Sequence, residues 1–197
     1  LIVAVIFASF YVGISVLYPL GYKGIVLENA ERNNLDAELI FAVIKTESNF
    51  TVDAISNKGA KGLMQISDST GKWGSEVLNI SNYNAEMLYD PEINISIGSW
   101  YLKLLIDQYK DVDTALAAYN AGSGNVSRWL SDSSYSIDGV SLNDIPFPET
   151  HSYVKKVNNN LNVYSRFYGD RIHSDEDLIF ERPIFLIRTW LMNIRNN

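Results

Sequence analysis

Apolar residues recur at spacings of three and four along most of this chain, which predicts a largely helical protein. The clearest stretch is residues 35–46, with Leu39, Val43 and Thr46 on one line and Ile40 and Ile44 beside it. Asp36 precedes it as a candidate N-cap, and Glu47 closes it. Upstream, Gly21-Tyr22-Lys23-Gly24 reads as a connector and residues 25–33 as a short helix with Ile25, Val26 and Leu27 facing inward. Residues 51–62, rich in Ser, Asn, Asp and Gly, read as a loop with at most short extended pieces. Ser67 is expected to cap a helix over 68–76. Asp90-Pro91 opens another that reaches about Tyr109, with Ile93, Ile97, Trp100, Leu104 and Leu105 as its core face. Asp113 is expected to cap a helix to Ala121, stopped by Gly122-Ser123-Gly124, and residues 125–130 add a turn or two. Residues 131–144 are polar and without period, hence a surface excursion. Pro146 and Pro148 frame Phe147 in an extended segment. Val154, Val157, Leu161 and Tyr164 then mark a last helix that Gly169 ends.

The two ends depart from this amphipathic pattern. Residues 1–20 carry no charge and are mostly aliphatic or aromatic. As a helix they would rise about 30 Å, the thickness of the bilayer hydrocarbon. No small-x-small cleavage site follows cleanly, so an N-terminal transmembrane helix is expected over residues 1–21, contributing nothing to the domain's core. It would anchor a single-pass membrane protein whose catalytic domain is extracytoplasmic if basic residues precede it. The tail, residues 170–197, holds an apolar segment over 184–194 with Arg182, Arg188 and Arg195 near one stripe. This fits an amphipathic helix lying on a membrane or docked on a partner. The domain between the two ends covers residues 22–169.

Composition narrows the function classes. At 197 residues the chain suits one domain with appendages. Its net charge of -7 argues against nucleic acid as a partner. Cysteine is absent, which removes disulfides, thiolate metal sites and cysteine nucleophiles. The only histidines are His151 and His173, and the carboxylates do not cluster at ligand spacing, so no metal site or cofactor is expected.

Glu47 carries the candidate chemistry. A carboxyl group at the last turn of an apolar helix meets desolvation and the negative end of the helix dipole, and both raise its pKa. A carboxylic acid kept protonated near neutral pH is what a glycosidase needs as general acid. Asp53, in the following loop, reads as a turn former, and Glu149 as a residue favoured at a helix N-terminus.

Three further blocks follow Glu47-Ser48. Gly59-Ala60-Lys61-Gly62-Leu63-Met64-Gln65 begins twelve residues on, then come Ala118-Tyr119-Asn120-Ala121-Gly122 and Pro148-Glu149-Thr150-His151-Ser152-Tyr153-Val154. In order and spacing the four blocks resemble the soluble-lytic-transglycosylase family of lysozyme-like enzymes, over roughly three quarters of the chain. The resemblance implies an α+β, mostly α-helical lysozyme-like fold with a small β/loop region. It implies an enzyme, a peptidoglycan lytic transglycosylase, that cleaves the bond between N-acetylmuramic acid and N-acetylglucosamine in glycan strands. In that family one Glu serves as acid and then base, the sugar's 6-hydroxyl attacks, and a 1,6-anhydro end results. Residue by residue, it implies Glu47 as the catalytic acid. Ser48, Ser56, Met64, Gln65, Tyr119, Asn120, Glu149 and Tyr153 become substrate-binding or cleft residues, and Tyr119 points its hydroxyl toward the acid. His151 falls where the family varies. Two alternatives stay open at this point: a lysozyme-type hydrolase on the same fold, and a wall-binding protein without catalysis.

Overall fold

The computed structural model describes residues 2–172. The apolar segment over 184–194 lies outside the described residues, and with it the amphipathic-helix expectation. The element order is α1 (Ile2–Leu17), α2 (Lys23–Asn33), α3 (Ala37–Glu47), α4 (Asp68–Val77), a 3-10 turn (Ala85–Tyr89), α5 (Pro91–Tyr109), α6 (Val112–Ala121), α7 (Ser123–Leu130), α8 (Pro148–Phe167) and α9 (Gly169–Ile172). The expected β region shrinks to two isolated antiparallel bridges, Ile55 with Lys61 and Lys61 with Ile66.

At the centre lies α3, whose residues from Leu39 to Ile44 are all buried. A helix apolar on every side must be wrapped by others. Here α8 packs along it, with α2 beside it, and α5 and α6 continue the layer. The aromatic heart is Phe41, stacked on Tyr164 at 5.4 Å between centroids and tilted against Phe50 at 6.4 Å.

Local signals decide most boundaries, with corrections. Ser67 caps α4 by accepting the Thr70 N–H. Asp90 accepts from Glu92 and Ile93 ahead of Pro91 at the first turn of α5. The cap of α6 is Asp111, which takes the Thr114 N–H at 2.8 Å; Asp113 sits inside the first turn instead. Asp36 occupies the N-cap position of α3 without a side-chain capping bond. The buried face of α5 is Asn94, Ile95, Ile97, Gly98, Ser99, Leu102, Leu105 and Tyr109, while Ile93, Trp100 and Leu104 are only half-buried. The helix is enclosed on more than one side, so a single stripe underestimates its buried face.

The N-terminal segment departs most from expectation. Among the described residues no helix is long and apolar enough to cross a membrane. Nor does the segment stay out of the domain: Leu20 belongs to the core cluster, and Ile14 and Tyr18 pack against it. Tyr164 donates its hydroxyl to the Pro19 carbonyl at 3.1 Å, and Tyr168 donates to the Tyr18 carbonyl at 2.7 Å. The Tyr18 ring meets Tyr164 edge-on at 5.7 Å, and Phe10 meets Phe167 at 5.8 Å. These tyrosines bury their rings in the core and need carbonyl acceptors there, which the turn after α1 supplies. At the other end, Ile172 in α9 is fully buried, three residues past the expected stop at Gly169.

A chain shortened to begin at Tyr22 loses the Leu20 burial and both tyrosine acceptors. Its thermal midpoint should fall by about 5–10 °C relative to one beginning at Ile14, measured by circular dichroism.

Candidate active site

The site starts from how α3 ends. Ser48 follows Glu47, and then Asn49 and Phe50 both take positive φ, 50° and 66°. Positive φ is costly for a bulky residue such as Phe. Burial of Phe50 against Phe41 holds it there. The chain therefore leaves the helix abruptly, with the Glu47 side chain at its last turn. Ser48 is buried and donates its hydroxyl to the Leu63 carbonyl at 2.8 Å, tying the helix end to the glycine-rich loop.

That loop is held by one buried amide. Asn94, fully buried on α5, donates to the carbonyls of Lys61 at 2.9 Å and Leu88 at 2.7 Å, and accepts the Met64 N–H at 2.7 Å. Gly62, at φ 76°, lies against this amide and the Leu88 carbonyl, where a Cβ would collide with both. The turn exposes the Met64 carbonyl, which accepts the Tyr119 hydroxyl at 2.9 Å. Gln65, itself at φ 50°, donates its side-chain amide to the carbonyls of Ala54 and Gly62. Ser56 closes the small turn before it by accepting the Ala60 N–H at 3.0 Å.

A cleft of about 440 Å³ results, lined by Glu47, Ser56, Asn57, Lys58, Ala60, Gln65, Tyr119, Asn120 and Glu149. Residues far apart in sequence thus meet around one carboxyl group. Asn120 accepts the Thr150 hydroxyl at 2.8 Å, which joins the end of α6 to the start of α8. Glu149 stands exposed in the first turn of α8, and Asp53 is exposed and outside the cleft lining. Among the described residues no three or more potential metal ligands gather.

Three expected site residues fall outside the cleft lining: Tyr153, buried on α8 beside Glu47, and the pair Met64 and Ser48. The Met64 side chain is fully buried against Gly98, and its carbonyl acts on the site by accepting the Tyr119 hydroxyl. Ser48 faces the loop from beneath. Both follow from the tight turn, which points the Met64 side chain into the core so that Gln65 can face outward. Asn94, Thr150, Asn57 and Lys58 escaped the reading of the sequence. Only Asn94 had a visible signal, a lone amide inside the run Ile93-Asn94-Ile95.

Electrostatics set the acid. Burial pushes the Glu47 pKa from 4.5 up to about 7, opposed by the Tyr153 hydroxyl, which favours the ionised form. That hydroxyl is buried and makes no well-formed hydrogen bond, so Glu47 is the polar group it addresses. Tyr119 and Tyr153 are themselves raised well above the usual tyrosine value, by burial first and by Glu47 next. Both remain protonated donors beside a carboxyl group that exchanges its proton near neutrality.

A helical, lysozyme-like domain with a half-exposed residue, Glu47, whose carboxyl is desolvated in a glycine-loop cleft is the class that fold and site define. The chain belongs to the transglycosylase SLT domain family, whose model matches residues 24–138. It is 35% identical to the soluble lytic murein transglycosylase of Escherichia coli K12 over 157 residues, covering 78% of this chain and 24% of that protein. It is 32% identical to the membrane-bound lytic murein transglycosylase C of Edwardsiella ictaluri, covering 74% of this chain and 46% of that one. The fold superposes on the crystal structure of the lytic transglycosylase Slt of Pseudomonas aeruginosa with TM-score 0.68 and 31% identity, over 78% of this chain and 25% of that one. The chain spans a quarter to a half of the length of these relatives.

Replacing Asn94 with Ala strands the buried Leu88 carbonyl and Met64 N–H and leaves the Lys61 carbonyl with the Ile66 N–H as its partner. It should destabilise the domain by about 3 kcal/mol or more in urea unfolding, with cleft geometry lost first. The raised Glu47 pKa also has a stability signature. Between pH 4.5 and about 7 the native state keeps a proton that the unfolded state has lost, so stability falls as pH rises through that window. Glu47→Gln should flatten this slope, read from urea midpoints at pH 5 and 8.

Proposed function

We propose that this chain is a lytic transglycosylase acting on peptidoglycan glycan strands outside the membrane. The observation that carries the reading is the Glu47 carboxyl, held with a pKa of about 7 in the cleft that gathers Gln65, Tyr119, Asn120 and Glu149. Family membership and relatives that are murein transglycosylases support the substrate.

In this mechanism protonated Glu47 gives its proton to the oxygen linking N-acetylmuramic acid to N-acetylglucosamine, and the C1–O bond breaks. The resulting carboxylate then takes the proton of the sugar's own 6-hydroxyl as that oxygen bonds to C1. A 1,6-anhydro end forms, the other fragment leaves with a free hydroxyl, and Glu47 is protonated again. Tyr153 steadies the transient carboxylate. Tyr119, pinned to the Met64 carbonyl, forms a wall beside it. Ser56, Gln65, Asn120 and Glu149 offer polar groups to acetamido and hydroxyl substituents. Acid–base catalysis of this kind is worth about 10²–10⁴-fold, and the enclosure of Glu47 is what makes it available at neutral pH.

The same reading takes residues 1–20 as the membrane-side end of the molecule. Exposed Ile2, Phe10, Val12 and Leu17 on α1 and a membrane-bound relative support it. Residues 22–169 carry the catalytic site, with Leu20 and Ile172 packed into the same core.

Glu47→Gln keeps the shape of the side chain without its proton. Cleavage of purified peptidoglycan should fall by about 10²-fold or more, followed by chromatography of released products. Mass spectrometry should find ends lighter by one water; hydrated ends only would identify a hydrolase. Cleavage should also decline as pH rises through about 7, because the acid must be protonated to act.

A further inference from the structure

Trp73 stands 46% exposed on α4, outside the cleft lining. A ring of this size is normally more covered unless it meets a ligand. It is neither isolated nor loosely held. Trp100 packs edge-on against it at 4.9 Å, and Tyr101 lies 6.3 Å away. Tyr101 in turn meets Tyr119 at 5.5 Å, and Tyr119 lines the cleft. Two ring-to-ring steps therefore connect the exposed indole to the cleft wall.

The backbone beneath is locked. A Cβ at Gly74 would meet Ile97 Cγ2 at 2.7 Å and the Trp100 ring at 3.2 Å, and one at Gly71 would run into the Tyr83 hydroxyl. Gly74 thus seats α4 tightly on α5, and Gly71 seats it on Tyr83 and Leu88 of the 3-10 turn region, so the indole is presented by a rigid support. A pre-set aromatic surface orders little on binding and loses little entropy.

The chemistry of the patch selects its ligand. One exposed indole, extended by Val77 a helical turn on, is far smaller than the roughly 800 Å² per partner of a stable protein interface. It matches a flat face of C–H bonds whose rim hydroxyls stay in water, which is the face of a pyranose ring. A polymeric glycan also extends beyond a cleft of about 440 Å³. We propose that Trp73, backed by Trp100, is an outer subsite that stacks a sugar ring of the strand whose inner rings lie against Tyr119. The proposal rests on the reading of the cleft as glycan-binding.

The test separates the two. Binding of long, stem-free glycan strands and of short soluble glycan fragments is measured by calorimetry in the Glu47→Gln background, alongside steady-state cleavage in the active enzyme. Trp73→Ala and Trp73→Leu should weaken long-strand binding and raise KM for long strands by about three- to ten-fold, with kcat and all short-fragment values unchanged. Trp73→Phe, which keeps a ring, should stay within about two-fold of the parent. Leucine keeps apolar packing without a ring face, so it carries the test if alanine lowers the melting temperature. Long-strand binding by Trp73→Leu equal to the parent overturns the subsite, as does equal loss on short fragments. An enzyme that binds long strands through Trp73 yet cleaves nothing refutes the catalytic reading and leaves the subsite standing.

Discussion

The buried amide of Asn94 is the constraint on which the rest of the site depends. One side chain satisfies the carbonyls of Lys61 and Leu88 and the N–H of Met64, all in the interior. Gly62 makes this possible, since any larger residue would occupy the space of the amide. With the turn fixed, the Leu63 carbonyl meets Ser48, the Met64 carbonyl meets Tyr119, and Gln65 faces the cleft. The helix that ends at Glu47 and the one that carries Tyr119 are thereby linked through loop carbonyls. A buried polar network of this kind is worth keeping only when every member is satisfied, and here the three amide bonds achieve that for the turn.

Glu47 gains its character from the same enclosure. Its helix end alone would tolerate a solvated carboxylate. Burial raises its pKa, and the one group that moderates the shift is the Tyr153 hydroxyl, delivered from α8. The acid therefore sits where a proton can leave and return near neutral pH. The two tyrosines beside it stay protonated and serve as fixed dipoles. Packing of α3 against α8, the most extensive helix pair of the domain, is what brings Tyr153 to Glu47.

Helix placement was legible in the chain because caps and stops act locally. Ser67 and the Asp90-Pro91 pair mark their helices in the structure as they do in the sequence. The errors share a cause. Asp113 and Asp111 are equally good caps on paper, and only the path of the preceding loop chooses between them. The N-terminal segment read as an appendage because its composition is uncharged. Its last residues nevertheless supply carbonyls and Leu20 to a core whose tyrosines come from the opposite end of the chain.

Sequence by itself determined the four blocks and their order, the apolar helix ending in Glu47 and the absence of cysteine. These follow from residue identity and short-range spacing. It also pointed to a raised acid, since an apolar helix end carries that expectation in one dimension. Tertiary structure alone decided that Met64 turns its side chain inward and offers its carbonyl, that Ser48 braces a loop, and that Tyr153 faces the acid. It also decided that an asparagine on α5, thirty residues from Met64, holds the turn together. The physical reason is that a backbone carbonyl carries no residue-specific label. Which buried carbonyl or N–H needs a partner emerges only once packing has removed water from it.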